Sequence, residues 1–220
     1  RIYKGQNKMK QTYFKIPGWF NMHEAYDQLI DLCEDGDEIL EIGSFMGRST
    51  SYLATSIINS GKKLHVYALD TFEGSSEHAN LDIVGGFYDE FLKNCQVFID
   101  KGILTPVKSR SDDANTLKRF HNKHFQAIII DGAHEYEPVM EDILNWWPKL
   151  KEGGTMVGDD MALSSVQQAV NDTFSKGKCP GNSSIDFIQG HEQWFSVSKG
   201  TEHTKCLKLV PGQNILRKTA

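Results

Sequence analysis

Cysteine is sparse in this chain: Cys33, Cys95, Cys179 and Cys206 are all there is in 220 residues. None forms a CxxC pair and none clusters with histidine at zinc spacing, which excludes a disulfide scaffold or a zinc knot as the organising device. Reduced thiols in a cytosolic fold are the expectation. Long apolar runs are missing too. Stretches such as Ala127 to Ile130 are far too short to span a bilayer, so no membrane partner is expected. No charged-then-apolar leader opens the chain, and a cytoplasmic location is the resulting reading. Positive charge is not in excess: 24 Lys and Arg face 29 Asp and Glu, for a net charge of -5 and a pI near 5.9. That argues against a broad nucleic-acid surface. Internal repeats and low-complexity tracts are absent as well.

What is there suits one α/β domain with a proper core: 39% hydrophobic and 24% charged residues over this length are ordinary for a globular chain. Residues 1–20 are polar and basic with scattered aromatics, an arm. Met22, Ala25, Leu29, Ile30 and Cys33 recur near helical spacing, predicting an amphipathic helix over residues 21–34 with Asn21 as its N-cap. Strands are predicted at Glu38–Ser44, Leu64–Asp70, Leu104–Lys108, Gln126–Asp131 and Thr155–Asp159. Helices are predicted at Ser49–Ser60, Phe87–Lys101, Asp112–His121, Glu137–Lys151 and Ser165–Lys176. Strands alternating with helices imply a Rossmann-like, doubly wound, mostly parallel sheet. The runs Ser184–Ile188 and Gln193–Ser198 flank Gln189-Gly190-His191-Glu192 and read as a C-terminal antiparallel β-hairpin. The organisation is thus an arm and helix over 1–36, the α/β domain over 37–200, and a polar, loosely ordered tail over 201–220.

In an open parallel sheet, ligands bind beyond the carboxyl ends of the strands. The first such end reads Glu41-Ile42-Gly43-Ser44-Phe45-Met46-Gly47-Arg48-Ser49. Gly43 permits a sharp turn, Gly47 permits a ligand or the sheet to approach the helix start, and Ser49 is a good N-cap. The loop lacks the G-x-G-x-x-G spacing of a dinucleotide site, and Glu41 would meet a pyrophosphate with like charge. S-adenosylmethionine carries a sulfonium and an ammonium instead, and an acidic E-x-G-x-x-x-G loop suits it better. A tight β–α turn with two glycines is the plain structural alternative. Asp70, followed by Thr71, ends the second strand where an acid accepts ribose hydroxyls. Ser111 and Asp112 follow the third strand where an adenine edge would lie, although Ser-Asp is also a common helix start.

The fourth and fifth strand ends are dense in acid: Asp131-Gly132-Ala133-His134 and Asp159-Asp160. Carboxylates converging on one rim repel unless protons or a cation intervene. A hard divalent ion fits, with Asp131, Asp159 and Asp160 as ligands. His134, three residues past Asp131, is placed to take a hydroxyl proton. The alternatives are a helix-capping Asp160, a surface His134, and an Asp131 that contacts substrate or cofactor directly.

Taken together, EIGSFMGRST, ALDTFEG, IIIDGAHEY and DILNWWPKLKEGGTMVGDD resemble class I S-adenosylmethionine-dependent methyltransferases. The likeness is to the group with macrocin and mycinamicin sugar O-methyltransferases and cephalosporin-hydroxylase-like proteins, over Asp37 to Ser198. The resemblance implies S-adenosylmethionine, Mg²⁺ and methylation of a hydroxyl, with Asp131, Asp159 and Asp160 on the metal, and Asp131 and His134 catalytic. Against a Glu-Asp pair in relatives, this chain carries Asp159-Asp160, whose first side chain reaches less far. Gly74–Tyr88, with Gly85-Gly86 as hinge, is the expected lid. A small molecule, sugar or polyol-like, is the expected acceptor, and homo-oligomerisation is left open. The rival readings are a non-catalytic adenosyl-binding module and an NAD-dependent enzyme.

Overall fold

The computed structural model describes residues 8–74, 86–175, 178–179, 182–189, 194–200 and 214–218. The expected lid falls mostly on 75–85 and the hairpin turn on 190–193, both outside the described residues. The strands are β1 (Glu38–Ile42), β2 (His65–Asp70), β3 (Leu104–Lys108), β4 (Phe125–Ile130), β5 (Leu150–Gly158), β6 (Asn182–Gln189), β7 (Trp194–Lys199) and β8 (Asn214–Lys218). The helices are α1 (His23–Leu32), α2 (Arg48–Ser60), α3 (Phe87–Asp100), α4 (Ala114–Arg119), α5 (Tyr136–Trp146) and α6 (Ser164–Phe174). The sheet runs β3-β2-β1-β4-β5-β7-β6-β8. Its first five strands pair in parallel, and β7, β6 and β8 pair antiparallel. The doubly wound sheet with a terminal antiparallel β6–β7 pair is therefore as expected.

Period-two alternation splits the core in two. Ile39, Val66, Ala68, Ala127 and Ile129 pack with α1, α2 and α3 through Leu29, Leu53, Ala54 and Phe91. Their neighbours Leu40, Ile42, Leu69, Ile128 and Ile130 pack on the opposite face with Val139, Ile143 and Trp146 of α5 and Val170 of α6. Both faces are covered, which is why β4 reads as an unbroken apolar run. Tyr26 and Trp146, both fully buried, anchor the two sides.

Several predicted boundaries shift. α1 starts at His23 behind Met22, with no side-chain cap, and Asn21 instead buries an Oδ1 that has no hydrogen-bond partner. α2 starts at Arg48 because Gly47, at φ +86°, makes the turn, so Ser49 enters the helix rather than capping it. Asp113, not Asp112, caps α4, accepting from the N–H groups of Asn115 and Thr116. α5 ends at Trp146 and a 3-10 turn over Trp147–Lys149 follows, as the missing N–H and fixed φ of Pro148 demand. That lets β5 begin at Leu150, opposite Phe125. The tail, expected to be loosely ordered, supplies β8 as an edge strand against β6. No helix among the described residues is long and apolar enough to cross a membrane.

Candidate functional site

Strand order reverses between β1 and β4, and the loops after these strands meet there. Asp131 donates its N–H to the Ile42 carbonyl at 2.8 Å, and Gly43 donates to Leu69 at 2.9 Å. Gly43, at φ +89°, lies so close to the second loop that a Cβ would stand 1.8 Å from the Asp131 carbonyl oxygen. Gly47 faces α3. A Cβ there would meet Cys95 Sγ of α3 at 2.4 Å, and the backbone sits at φ +86°, so helix packing and the left-handed turn both favour glycine.

Glu41 is fully buried on the α1–α2 side. Tyr26 Oη donates to it at 2.9 Å, and Thr50 Oγ1 donates to its other oxygen. Burial raises its pKa, while Thr50, Ser49 and Tyr26 pull the other way. Ser44 is 1% exposed, and its Oγ has no partner within bonding range. Tyr26 and Thr50 escaped the sequence reading because nothing in a helix pattern says which buried hydroxyl faces which strand.

Asp70 is bound from two sides: Oδ2 accepts the Phe45 N–H at 2.8 Å and Oδ1 the Phe72 N–H at 2.6 Å. Phe45 and Phe72 both sit at positive φ, 44° and 56°, an unusual conformation for an aromatic residue and one that clusters at functional sites. One N–H per oxygen leaves the carboxylate lone pairs for further donors. Thr71 accepts the Glu73 N–H at 3.3 Å. Arg48 ties the arm to this loop by donating to the carbonyls of Ile16 and Gly18, at 3.2 and 2.8 Å. In the loop after β3, Asp112 pairs in a fork with Arg110 at the surface, at 2.8 and 2.7 Å, which lowers its pKa. The Ser111 carbonyl accepts from Trp146 Nε1 at 3.1 Å.

The three acids do converge. Oxygens of Asp131, Asp159 and Asp160 all lie within 4.8 Å of one another. With Gly132 and Ala133 they line a narrow cleft. Asp131 is pushed well above the usual carboxylate range by burial first, then by Asp159 and Asp160, and then by Glu41. His134 opposes the shift. Its Nε2 lies 2.9 Å from Asp160 Oδ2, and Ser165 Oγ holds its carbonyl at 2.6 Å. Asp160 does not cap α6 with its side chain; it sits at φ +62°, and its carbonyl accepts the Leu163 N–H at 2.8 Å. A cluster of hard oxygens in which the neighbouring carboxylates push the Asp131 pKa upward fits a divalent cation. The orphaned Ser44 hydroxyl and the spare lone pairs of Asp70 fit a polar, hydroxyl-bearing ligand over the β1 and β2 ends.

Comparison with known proteins agrees with this geometry. A family model described as a methyltransferase domain matches residues 40–161, while no curated protein sequence matches. Among solved structures, the O-methyltransferase NovP superposes with a TM-score of 0.58 at 16% identity, over 82% of this chain and 79% of that one. An rRNA methylase from Streptococcus thermophilus superposes at 0.57 and 15%, over 82% and 96%. The MycE methyltransferase of the mycinamycin biosynthetic pathway, in complex with Mg and SAH, superposes at 0.51 and 18%, over 87% and 48%. At such identities the likeness is one of fold. The family match spans more than half of the chain, across the loops after β1, β2, β4 and β5, and the chain belongs to the methyltransferase domain family with the class I methyltransferase fold.

Proposed function

We propose that this chain is an S-adenosylmethionine-dependent O-methyltransferase that acts on a hydroxyl of a small molecule, of sugar or polyol kind, with the help of a divalent cation, Mg²⁺ by preference. The observation that carries the reading is the convergence of Asp131, Asp159 and Asp160 within 4.8 Å, with His134 against Asp160. Binding an adenosyl group needs neither the acids nor the imidazole, whereas deprotonating a hydroxyl uses both.

Asp70 accepts the ribose hydroxyls, and Ser44 meets the amino-acid end of the cofactor. Glu41, held from behind by Tyr26 and Thr50, supplies negative charge beneath that end. S-adenosylmethionine supplies a methyl group on a sulfonium, which leaves as a neutral thioether. A cation held by the three acids supplies positive charge that favours the ionised hydroxyl. His134 takes the hydroxyl proton as the oxygen–methyl bond forms and the sulfur–methyl bond breaks. Its contact with Asp160 orients the ring and stabilises the imidazolium. The net acidity of the chain, -5, favours a small acceptor over a polyanionic one.

The test is methyl transfer from labelled S-adenosylmethionine to a panel of sugars, polyols and catechols. S-adenosylhomocysteine should raise the melting temperature by mass action and NAD should not. Chelator should abolish transfer and added Mg²⁺ restore it, and Asp160→Asn should lower turnover more than adenosyl affinity. Full activity in excess chelator removes the cation from the scheme, and stabilisation by NAD alone removes the methyltransferase reading.

A further inference from the structure

Residues 1–20 hold Arg1, Lys4, Lys8, Lys10 and Lys15, and no Asp or Glu. These are 5 of the 24 Lys and Arg, which leaves the other 200 residues with 19 against 29 acids. Positive charge is segregated into one short arm of an acidic chain. Exposed aromatics follow it. Among the described residues the large apolar side chains that face solvent are Phe14, Trp19, Val97 and Leu163, and both aromatic ones are on the arm, at 53% and 70% exposure.

The arm is fastened along α2. Met9 exchanges two hydrogen bonds with the Asn59 side chain, at 2.7 and 2.9 Å. Gln11 Nε2 donates to Ser56 Oγ at 3.0 Å and to the Tyr52 carbonyl at 3.3 Å. Tyr13 packs edge-on against Phe20, His23 and Tyr52, and Arg48 holds the carbonyls of Ile16 and Gly18. Met9, Gln11, Tyr13 and Ile16 thus turn inward. Between and beyond them Lys8, Lys10, Phe14, Lys15 and Trp19 are exposed. The arm ends beside the loop after β1, where a Cβ on Gly18 would lie 3.4 Å from the Phe45 ring.

Lysines and solvent-facing Trp and Phe on one ledge match a surface that is anionic outside and apolar just beneath. An anionic bilayer is such a surface: ammonium groups meet the headgroups while the rings enter the acyl boundary. A nucleic acid is a poorer match, because its charge runs its whole length and would meet the acidic body as well. A bilayer can be met by the arm alone, and charges farther away than about 8 Å are largely screened. The lack of a spanning helix bears on insertion and says nothing of surface contact.

We propose that the outer side of residues 8–19 docks this protein on an anionic lipid surface, with Lys8, Lys10 and Lys15 against the headgroups and Phe14 and Trp19 in the interface. The inference is independent of the cofactor and of the reaction.

The experiment is co-sedimentation of the full chain with vesicles of phosphatidylcholine alone, or of phosphatidylcholine with about 30% phosphatidylserine. The wild type should partition onto the anionic vesicles at least about tenfold more than onto the neutral ones, and added salt should weaken it. Each lysine at such a surface contributes roughly fivefold, so Lys10→Gln with Lys15→Gln should lower partitioning about 25-fold. Phe14→Ser with Trp19→Ser should lower it by at least about tenfold. Melting temperatures show whether the pairs fold, and should a pair fail, the single variants Lys10→Gln and Trp19→Ser decide. Equal sedimentation with both kinds of vesicle, or variants that sediment like the wild type, overturns the inference. Tighter binding to poly(U) than to anionic vesicles assigns the arm to nucleic acid instead. Loss of a dimer in light scattering by the same variants, without loss of vesicle binding, assigns it to a second copy, and either result also overturns the inference.

Discussion

Gly43 and Asp131 are in such close backbone contact that a single added carbon on the glycine would stand 1.8 Å from the Asp131 carbonyl oxygen. The loop expected to carry the cofactor and the loop that carries the acids are therefore set against each other through main chain. Gly43→Ala has to move one of them and also holds alanine at φ +89°. Left-handed strain alone costs about 1–3 kcal/mol, and with the clash the loss should reach at least about 3 kcal/mol. Calorimetry should show the melting temperature fall by roughly 6–12 °C, with adenosyl binding lost. A variant that melts like the parent would mean the loops slide freely.

Asp70 does two jobs, and two substitutions separate them. Alanine removes the proposed ribose acceptor and also orphans the N–H groups of Phe45 and Phe72. Two hydrogen bonds to a charged acceptor amount to about 3 kcal/mol or more, so S-adenosylhomocysteine affinity should fall roughly a hundredfold. The melting temperature should fall with it. Asparagine keeps an acceptor for one N–H and should melt closer to the parent while still binding more weakly. Titration and thermal melts side by side check this, and undiminished affinity in the alanine variant would remove Asp70 from the cofactor.

His134→Gln keeps a polar side chain on the loop held by Ser165 but abolishes proton acceptance near neutrality. Loss of a general base costs on the order of a hundredfold or more in the chemical step. Single-turnover rates should drop by that amount while adenosyl binding persists, and the rise of rate with pH should disappear. If His134 only anchors the loop through Asp160, binding and melting temperature should suffer instead of the rate.

The Asp142 carboxyl is raised to about 6, by burial first, with Ser111 lowering it, Asp112 and Glu141 raising it and Arg110 lowering it. In the unfolded chain it titrates near 3.9. Between these values the folded protein holds a proton that the unfolded chain has lost, so stability falls as pH rises from roughly 4 to 6. Asp142→Asn removes that penalty. Denaturant melts should show the variant more stable than the parent at pH 7, by up to about 3 kcal/mol for a shift of this size, and level with it near pH 4. A variant less stable at pH 7 would show that the carboxylate is held by stronger partners.

Much of the fold was legible because its signals are local. Alternation along β1 and β2, the apolar run Ala127–Ile130 and the helical spacing of α1 through α6 are properties of neighbouring residues. Glycine at 43, and acids at 70, 131, 159 and 160, follow from where a parallel strand must end. What the sequence could not say is which side chains meet across crossovers. Glu41 lies beneath the site because Tyr26 and Thr50 reach it from two different helices. Gly47 turns the chain into α2 and also packs against Cys95, 48 positions away in the chain. The caps moved to Gly47 and Asp113 because a helix start depends on the backbone turn that precedes it. Trp146 carried no motif at all: on α5 it is one more apolar residue in a helical pattern, and only the packing of that helix beneath the β3–α4 loop brings its Nε1 to the Ser111 carbonyl. Local periodicity determined the elements and the acidic rim; long-range packing decided which of those acids pair, which are buried, and which face one another.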